Sequence, residues 1–155
     1  MKVYFLRHGQ ADWPAWRGPD DERPLTKKGR KQMKRIAKFL DTAEVDPKRI
    51  LSSPLPRALQ TADIVGKELG LDVEEEPFLG KGFRLHKLRK ILERTGGEDV
   101  MVVGHEPDFS TVLNHLTGGH VKLAKAGIAC VEVEDRGSRG RLLWLIPPKL
   151  AASRC

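Results

Sequence analysis

Residues 100–103 read Val-Met-Val-Val, a run without a polar side chain, followed at once by Gly104-His105-Glu106-Pro107. A strand that is apolar on both faces must be covered on both faces, as happens to the central strand of a parallel sheet packed between helices. The rest of the chain supplies the cover. Lys2–Arg7, Arg49–Ser52 and Asp72–Glu74 read as short strands. Between them, apolar residues recur at helical spacing. One helix is capped by Thr26 and carries Ile36, Phe39 and Leu40 before Asp41. A second starts at Ser53-Pro54 and stops at Gly70, a third spans Leu85–Arg94 before Gly96-Gly97, and a fourth runs from Pro107 through Leu116. Ile128–Asp135 and Arg141–Ile146 flank a glycine-bearing turn and should pair as a hairpin. The pattern predicts a single three-layer α/β domain over residues 1–148: a mainly parallel sheet, helices on both faces, and an antiparallel C-terminal hairpin or edge. Residues 149–155 are expected to form a loose tail.

Composition narrows the functional classes. A chain of 155 residues accommodates one domain. No apolar run approaches the roughly 20 residues of a membrane span. The start, Met1-Lys2-Val3-Tyr4-Phe5-Leu6, lacks the features of a secretory leader, so a cytoplasmic protein is expected. The two cysteines, Cys130 and Cys155, form no CxxC pair, which leaves metal and redox motifs without support. The net charge of +7 favours anionic partners, phosphorylated substrates and nucleic acid among them. The crowding of Lys27, Lys28, Arg30, Lys31, Lys34, Arg35 and Lys38 on one helix is read as a solvated basic face.

Three segments lie where a strand gives way to a loop or helix, the edge at which open α/β sheets bind ligands. They are Arg7-His8-Gly9, Ser52-Ser53-Pro54 with Arg57, and Gly104-His105-Glu106. If the sheet forms as described, two histidines and two arginines meet in one pocket. Phosphoryl transfer needs such a set, because its transition state spreads negative charge over three oxygens and is stabilised chiefly by positioned cations. Arg7 and Arg57 offer planar forks for a phosphoryl group, and the N-terminus of the Arg57 helix assists. A neutral His8 can attack phosphorus, and a protonated His105 would add a donor. The two arginines should disfavour protonation of His8. Gly9 and Gly104 would let backbone approach the phosphate, and Ser53 either caps its helix or touches substrate.

These residues carry a family resemblance. Leu6-Arg7-His8-Gly9, Arg23-Pro24-Leu25-Thr26-Lys27-Lys28-Gly29-Arg30, Ser52-Ser53-Pro54-Leu55-Pro56-Arg57-Ala58-Leu59-Gln60-Thr61-Ala62 and Val103-Gly104-His105-Glu106-Pro107 follow one another in the order of the histidine phosphatase superfamily. In length and in the RPLT stretch the chain resembles its small phosphohistidine phosphatases, the SixA type. The resemblance implies that His8 is the phosphorylated nucleophile and that Arg7, Arg57 and His105 complete the phosphate pocket, with no metal or other cofactor.

The resemblance thins at the proton donor. Larger members take an acid from an inserted helical region, whereas here the stretch from Arg57 to His105 holds only the rest of one helix, a strand and another helix. Asp12, Asp21, Glu22 and Glu106 are the candidates, with Asp21 and Glu106 preferred. A missing acid suits a phosphohistidine substrate, whose imidazole leaves more readily than an alkoxide. An open site also argues against a mutase, which must shelter its phosphoenzyme from water. The expected partner is therefore a phosphorylated protein or a small phosphate-bearing substrate, with no membrane, and with the chain a monomer. The rivals are a small-metabolite phosphomonoesterase of the same superfamily and, from another class, a non-catalytic binder of phosphorylated protein or nucleic acid. The latter would not need a nucleophile between arginines. His86, His115 and His120 are read as structural or exposed, and Trp13 and Trp16 as loop anchors or as borders of the pocket mouth.

Overall fold

The computed structural model describes residues 1–151. Six strands, β1 (Lys2–Arg7), β2 (Arg49–Ser52), β3 (Val73–Glu75), β4 (Val100–Gly104), β5 (Ile128–Glu134) and β6 (Arg139–Ile146), form one sheet in the order β3-β2-β4-β1-β5-β6. The first four strands in that order are mutually parallel, and β5 and β6 are antiparallel additions at one edge. The all-apolar strand lies inside, with Val100 paired to Val3 on one side and to Arg49 on the other. All its residues are buried.

Side chains alternate across a sheet, so the strands feed two cores. Val3, Phe5, Val100 and Val102 face α3 (Leu85–Thr95) and α4 (Asp108–Thr117), where Phe5 meets Phe109 edge to face. Tyr4, Leu6, Met101 and Val103 face α1 (Lys27–Thr42) and α2 (Pro56–Leu69). These are the three expected layers. Thr26 caps α1, its hydroxyl accepting from the Gly29 amide at 3.0 Å, and Gly70 ends α2 in the left-handed region at φ 73°. The seven basic residues of α1 are exposed.

Two segments differ from expectation. α2 begins at Pro56, with Leu55 at its N-cap, rather than at Ser53-Pro54. Residues 149–151, expected in a tail, belong to a short helix, α5 (Pro148–Ala151), whose Ala151 is buried against the α1 side of the sheet. Cys130 is a buried free thiol in β5, pushed up to about 11 by burial, and Cys155 lies outside the described residues. Among the described residues, no helix is long and apolar enough to cross a membrane.

Backbone bonds continue past the carboxyl ends of the inner strands and tie their loops together. The His8 amide donates to Gly104 O at 3.2 Å, Ser53 N to Val103 O at 3.0 Å, and Arg7 N to Gly127 O at 3.0 Å. The three segments singled out by their residue types thus share one rigid rim.

Candidate active site

His8 follows β1 directly and is only 8% exposed. Its Nδ1 lies 2.8 Å from Gly9 O. A carbonyl only accepts, so in the neutral ring Nδ1 carries the proton and Nε2 keeps a free lone pair. Burial pushes the imidazole down to about 3, and the nearby His105, Arg57 and Arg7 push in the same direction against the Gly9 bond. Burial outweighs the arginines that the sequence pointed to. The consequence is the same, a neutral nucleophile at pH 7.

Arg57 occupies the first turn of α2 and is 6% exposed. Its Nη1 donates to Asp20 O at 2.8 Å, and its Nη2 lies 3.5 Å from the Asp20 carboxylate. Arg7 is braced from behind by donation to Leu123 O at 2.9 Å. His105 faces His8 with ring centroids 5.3 Å apart, and its Nε2 lies 2.8 Å from Ser53 Oγ. That hydroxyl accepts from Leu55 N, and among the described residues Nε2 is the acceptor its own proton reaches, which places the ring proton of His105 on Nδ1. Burial, followed by the charge of Arg57, lowers His105 to about 4, so it is neutral at pH 7 and does not carry the second N–H that protonation would add. It donates through one nitrogen. Three buried side-chain nitrogens lack a partner among the described residues, namely Nε of Arg7, Nε of Arg57 and Nδ1 of His105, and all belong to this cluster. Such groups are rare in folded proteins. The four side chains line a cavity of about 440 Å³, large enough for a phosphoryl group and part of its carrier.

Thr61, fully buried on α2, links the two halves of the cluster. Its hydroxyl donates to Arg57 O at 2.8 Å and accepts from Gly9 N at 3.0 Å. The Gly9 amide is therefore taken and does not serve the phosphoryl group as expected. Gly9 is required for a different reason, because a Cβ there would lie 2.8 Å from Met33 Cγ. Gly104 likewise makes room for Phe109, whose Cζ would lie 2.8 Å from an added Cβ. The Ser53 hydroxyl, expected at a helix cap or on substrate, meets both the amide of Leu55, the N-cap residue of α2, and His105 Nε2.

The preferred proton donors fare unequally. Asp21 pairs with Lys81 and is not among the cavity residues. Glu106 lines the cavity, but its carboxylate accepts from Ser110 N at 2.7 Å, from Ser110 Oγ and from Leu123 N at 3.2 Å. Glu22 is exposed on a 3-10 turn, and Asp12 lines the cavity bound to Lys125. Sequence reasoning missed Asp20 and Arg23. Arg23 grips Asp20 with Nε and Nη2, each at 3.1 Å, a contact foreshadowed only by their i,i+3 spacing. Hydrogen bonds from Arg23 and from Lys125 hold Asp20 and Asp12, respectively, below the usual carboxylate range.

Trp13 and Trp16 are 41% and 37% exposed, donate to Pro24 O and Pro19 O, and are not among the cavity residues. They anchor the loop. His86, His115 and His120 are exposed. Among the described residues, no three His, Cys, Asp or Glu side chains gather as a metal site.

Comparisons with known proteins place the chain in a family and match its fold. The chain is 30% identical over 155 residues to the phosphohistidine phosphatase SixA of Escherichia coli K12, covering 96% of this chain and 94% of that one. It superposes on a solved structure of the protein histidine phosphatase SixA complexed with tungstate at a TM-score of 0.86, with 29% identity over 97% of this chain and 99% of the other. The fold also matches that of a putative SixA from Agrobacterium tumefaciens, with a TM-score of 0.80, 24% identity and coverage of 95% and 98%. Residues 3–80 match the model of the histidine phosphatase superfamily, branch 1, and the remainder follows SixA to the end of the fold: this chain belongs to the histidine phosphatase superfamily.

Proposed function

We propose that this enzyme is a protein phosphohistidine phosphatase working through His8. Nε2 of His8 attacks phosphorus as the bond from phosphorus to the substrate nitrogen breaks, giving a phosphoramidate on His8 and a free substrate imidazole. Water then attacks, the bond to Nε2 breaks, and inorganic phosphate leaves with both hydrogens of the water, which returns His8 to its neutral form. Arg7, Arg57 and the Nδ1–H of His105 clamp the equatorial oxygens through both steps. Ser53 and Gly9 fix the tautomers of the two rings.

The choice of substrate rests on one observation. Every carboxylate lining the cavity among the described residues is already engaged: Asp12 by Lys125 and Arg23, Asp20 by Arg23 and Arg57, Glu106 by Ser110 and Leu123, and Asp108 by Arg84 and Gly82. An ester needs an acid to protonate its alkoxide. A phosphohistidine does not, because its second ring nitrogen has a basicity near the ordinary imidazole value of about 6.5 and takes a proton from water, so the group leaves neutral.

A substrate panel tests the reading. Turnover of a histidine-phosphorylated peptide should exceed that of sugar, nucleotide and serine phosphates by at least tenfold in kcat/KM. A preference for the esters would reassign the chain as a small-metabolite phosphomonoesterase. Binding of phosphopeptide without release of phosphate would make it a non-catalytic binder.

A further inference from the structure

A second cavity, also of about 440 Å³, opens beside the catalytic one between α1 and α5. Its walls carry Lys28, Lys31, Arg35, Lys125 and Lys149 over an apolar floor of Ile36 and Pro148, and no acidic residue lines it. Lys28, Lys31 and Arg35 recur at i, i+3 and i+7, so they form one stripe along α1. Among the described residues, none of these three cations, nor Lys149, lies within ion-pair distance of a carboxylate. Lys125 stands in the wall shared by both cavities. The basic groove therefore shares a wall with the phosphoryl site. The other end of α1 has the opposite character, since the hollow there is lined by Asp41, Glu44 and Asp46.

A basic helix face that met only water would need no groove, no apolar floor and no junction with the active site. We propose that the α1–α5 groove docks an acidic segment of the histidine-phosphorylated protein substrate, a proposal that rests on the function assigned above. The segment lies along the Lys28–Lys31–Arg35 stripe while its phosphohistidine, a few residues away, reaches over Lys125 to His8. Charge complementarity of this kind raises the encounter rate and sets orientation, and salt screens it. Nucleic acid fits the groove less well, because the cavity it joins is shaped for one phosphoryl group in front of a nucleophile.

The test uses two synthetic peptides phosphorylated on histidine, one flanked by Asp and Glu and one by Lys, with free phosphohistidine as the control. They are offered to the wild-type chain, to K28E/K31E/R35E and to the single variant K31E, whose thermal unfolding confirms folding. The wild type should favour the acidic peptide at least tenfold in kcat/KM at low salt, and the preference should shrink at high salt. The triple variant should lose or invert it, K31E should weaken it, and turnover of free phosphohistidine should stay within twofold in both. An unchanged peptide preference, or an equal loss on free phosphohistidine, overturns the docking surface while leaving the phosphatase assignment intact. Failure of the wild type on every phosphohistidine substrate brings both down. A thymidine oligonucleotide that competes better than the acidic peptide would overturn the proposal in favour of a nucleic-acid groove.

Discussion

Thr61 joins the nucleophile's loop to the helix of Arg57 through one hydroxyl, which donates to Arg57 O and accepts from Gly9 N. Replacing it with valine keeps the shape and removes both bonds, stranding the Gly9 amide in the interior, a loss of about 1–3 kcal/mol of stability. Thr61→Val should also lower kcat by tenfold or more, because Gly9 is the residue whose carbonyl orients His8. Thr61→Ser should restore most of the rate. Denaturant midpoints and kcat for the two variants check this, and an unchanged kcat in the valine variant would contradict it. The two histidines make a pH prediction. Both are held below the ordinary value of about 6.5, His8 at about 3 and His105 at about 4. Between those limits the unfolded chain binds protons that the folded chain refuses. Their contribution to stability is therefore complete above about pH 6.5 and falls as the pH drops toward 3. Unfolding midpoints at pH 7.5 and 5 should differ in that direction, and the drop should be shallower in His8→Gln. The imidazole resonances of His8 should not titrate between pH 8 and 5, and a midpoint near 6.5 in an NMR titration would contradict the burial argument.

Helix α1 approaches the catalytic loop so closely that a Cβ on Gly29 would lie 2.0 Å from Gln10 O. Backbone cannot yield there without shifting Gly9 and His8. Gly29→Ala should remove at least about 1–3 kcal/mol of stability, as overpacking does, and lower activity with it. Thermal unfolding and kcat measure both, and a variant with wild-type values would show that the contact is softer than the geometry implies. Most elements were legible in the sequence because their signals are local. Thr26 caps, Gly70 and Gly96 stop, and Val100–Val103 declares its own burial. The start of α2 misled because Ser53-Pro54 imitates a cap followed by a first-turn proline, while Pro56 offers the same signal two residues later. His105, distant in sequence, decides the matter by engaging the Ser53 hydroxyl. Asp20 and the Thr61 bridge were illegible for the same reason, since each matters only through partners that the fold brings together.

The molecule gathers residues from position 7 to position 105 onto the carboxyl ends of three adjacent parallel strands, so the pocket exists only when the whole sheet does. Anything that binds the pocket must therefore stabilise the whole fold. Inorganic phosphate at about 100 times its dissociation constant should add about 2.7 kcal/mol, seen as a rise in the unfolding temperature. The rise should vanish in R7A/R57A, and its persistence there would place the anion elsewhere. The central claim is that phosphorus becomes bonded to His8 during turnover. Rapid quenching with a phosphorus-labelled phosphohistidine peptide tests it directly. The wild-type chain should trap label that is stable to base and labile to acid, and His8→Ala should trap none; label of that kind on the alanine variant would contradict the claim.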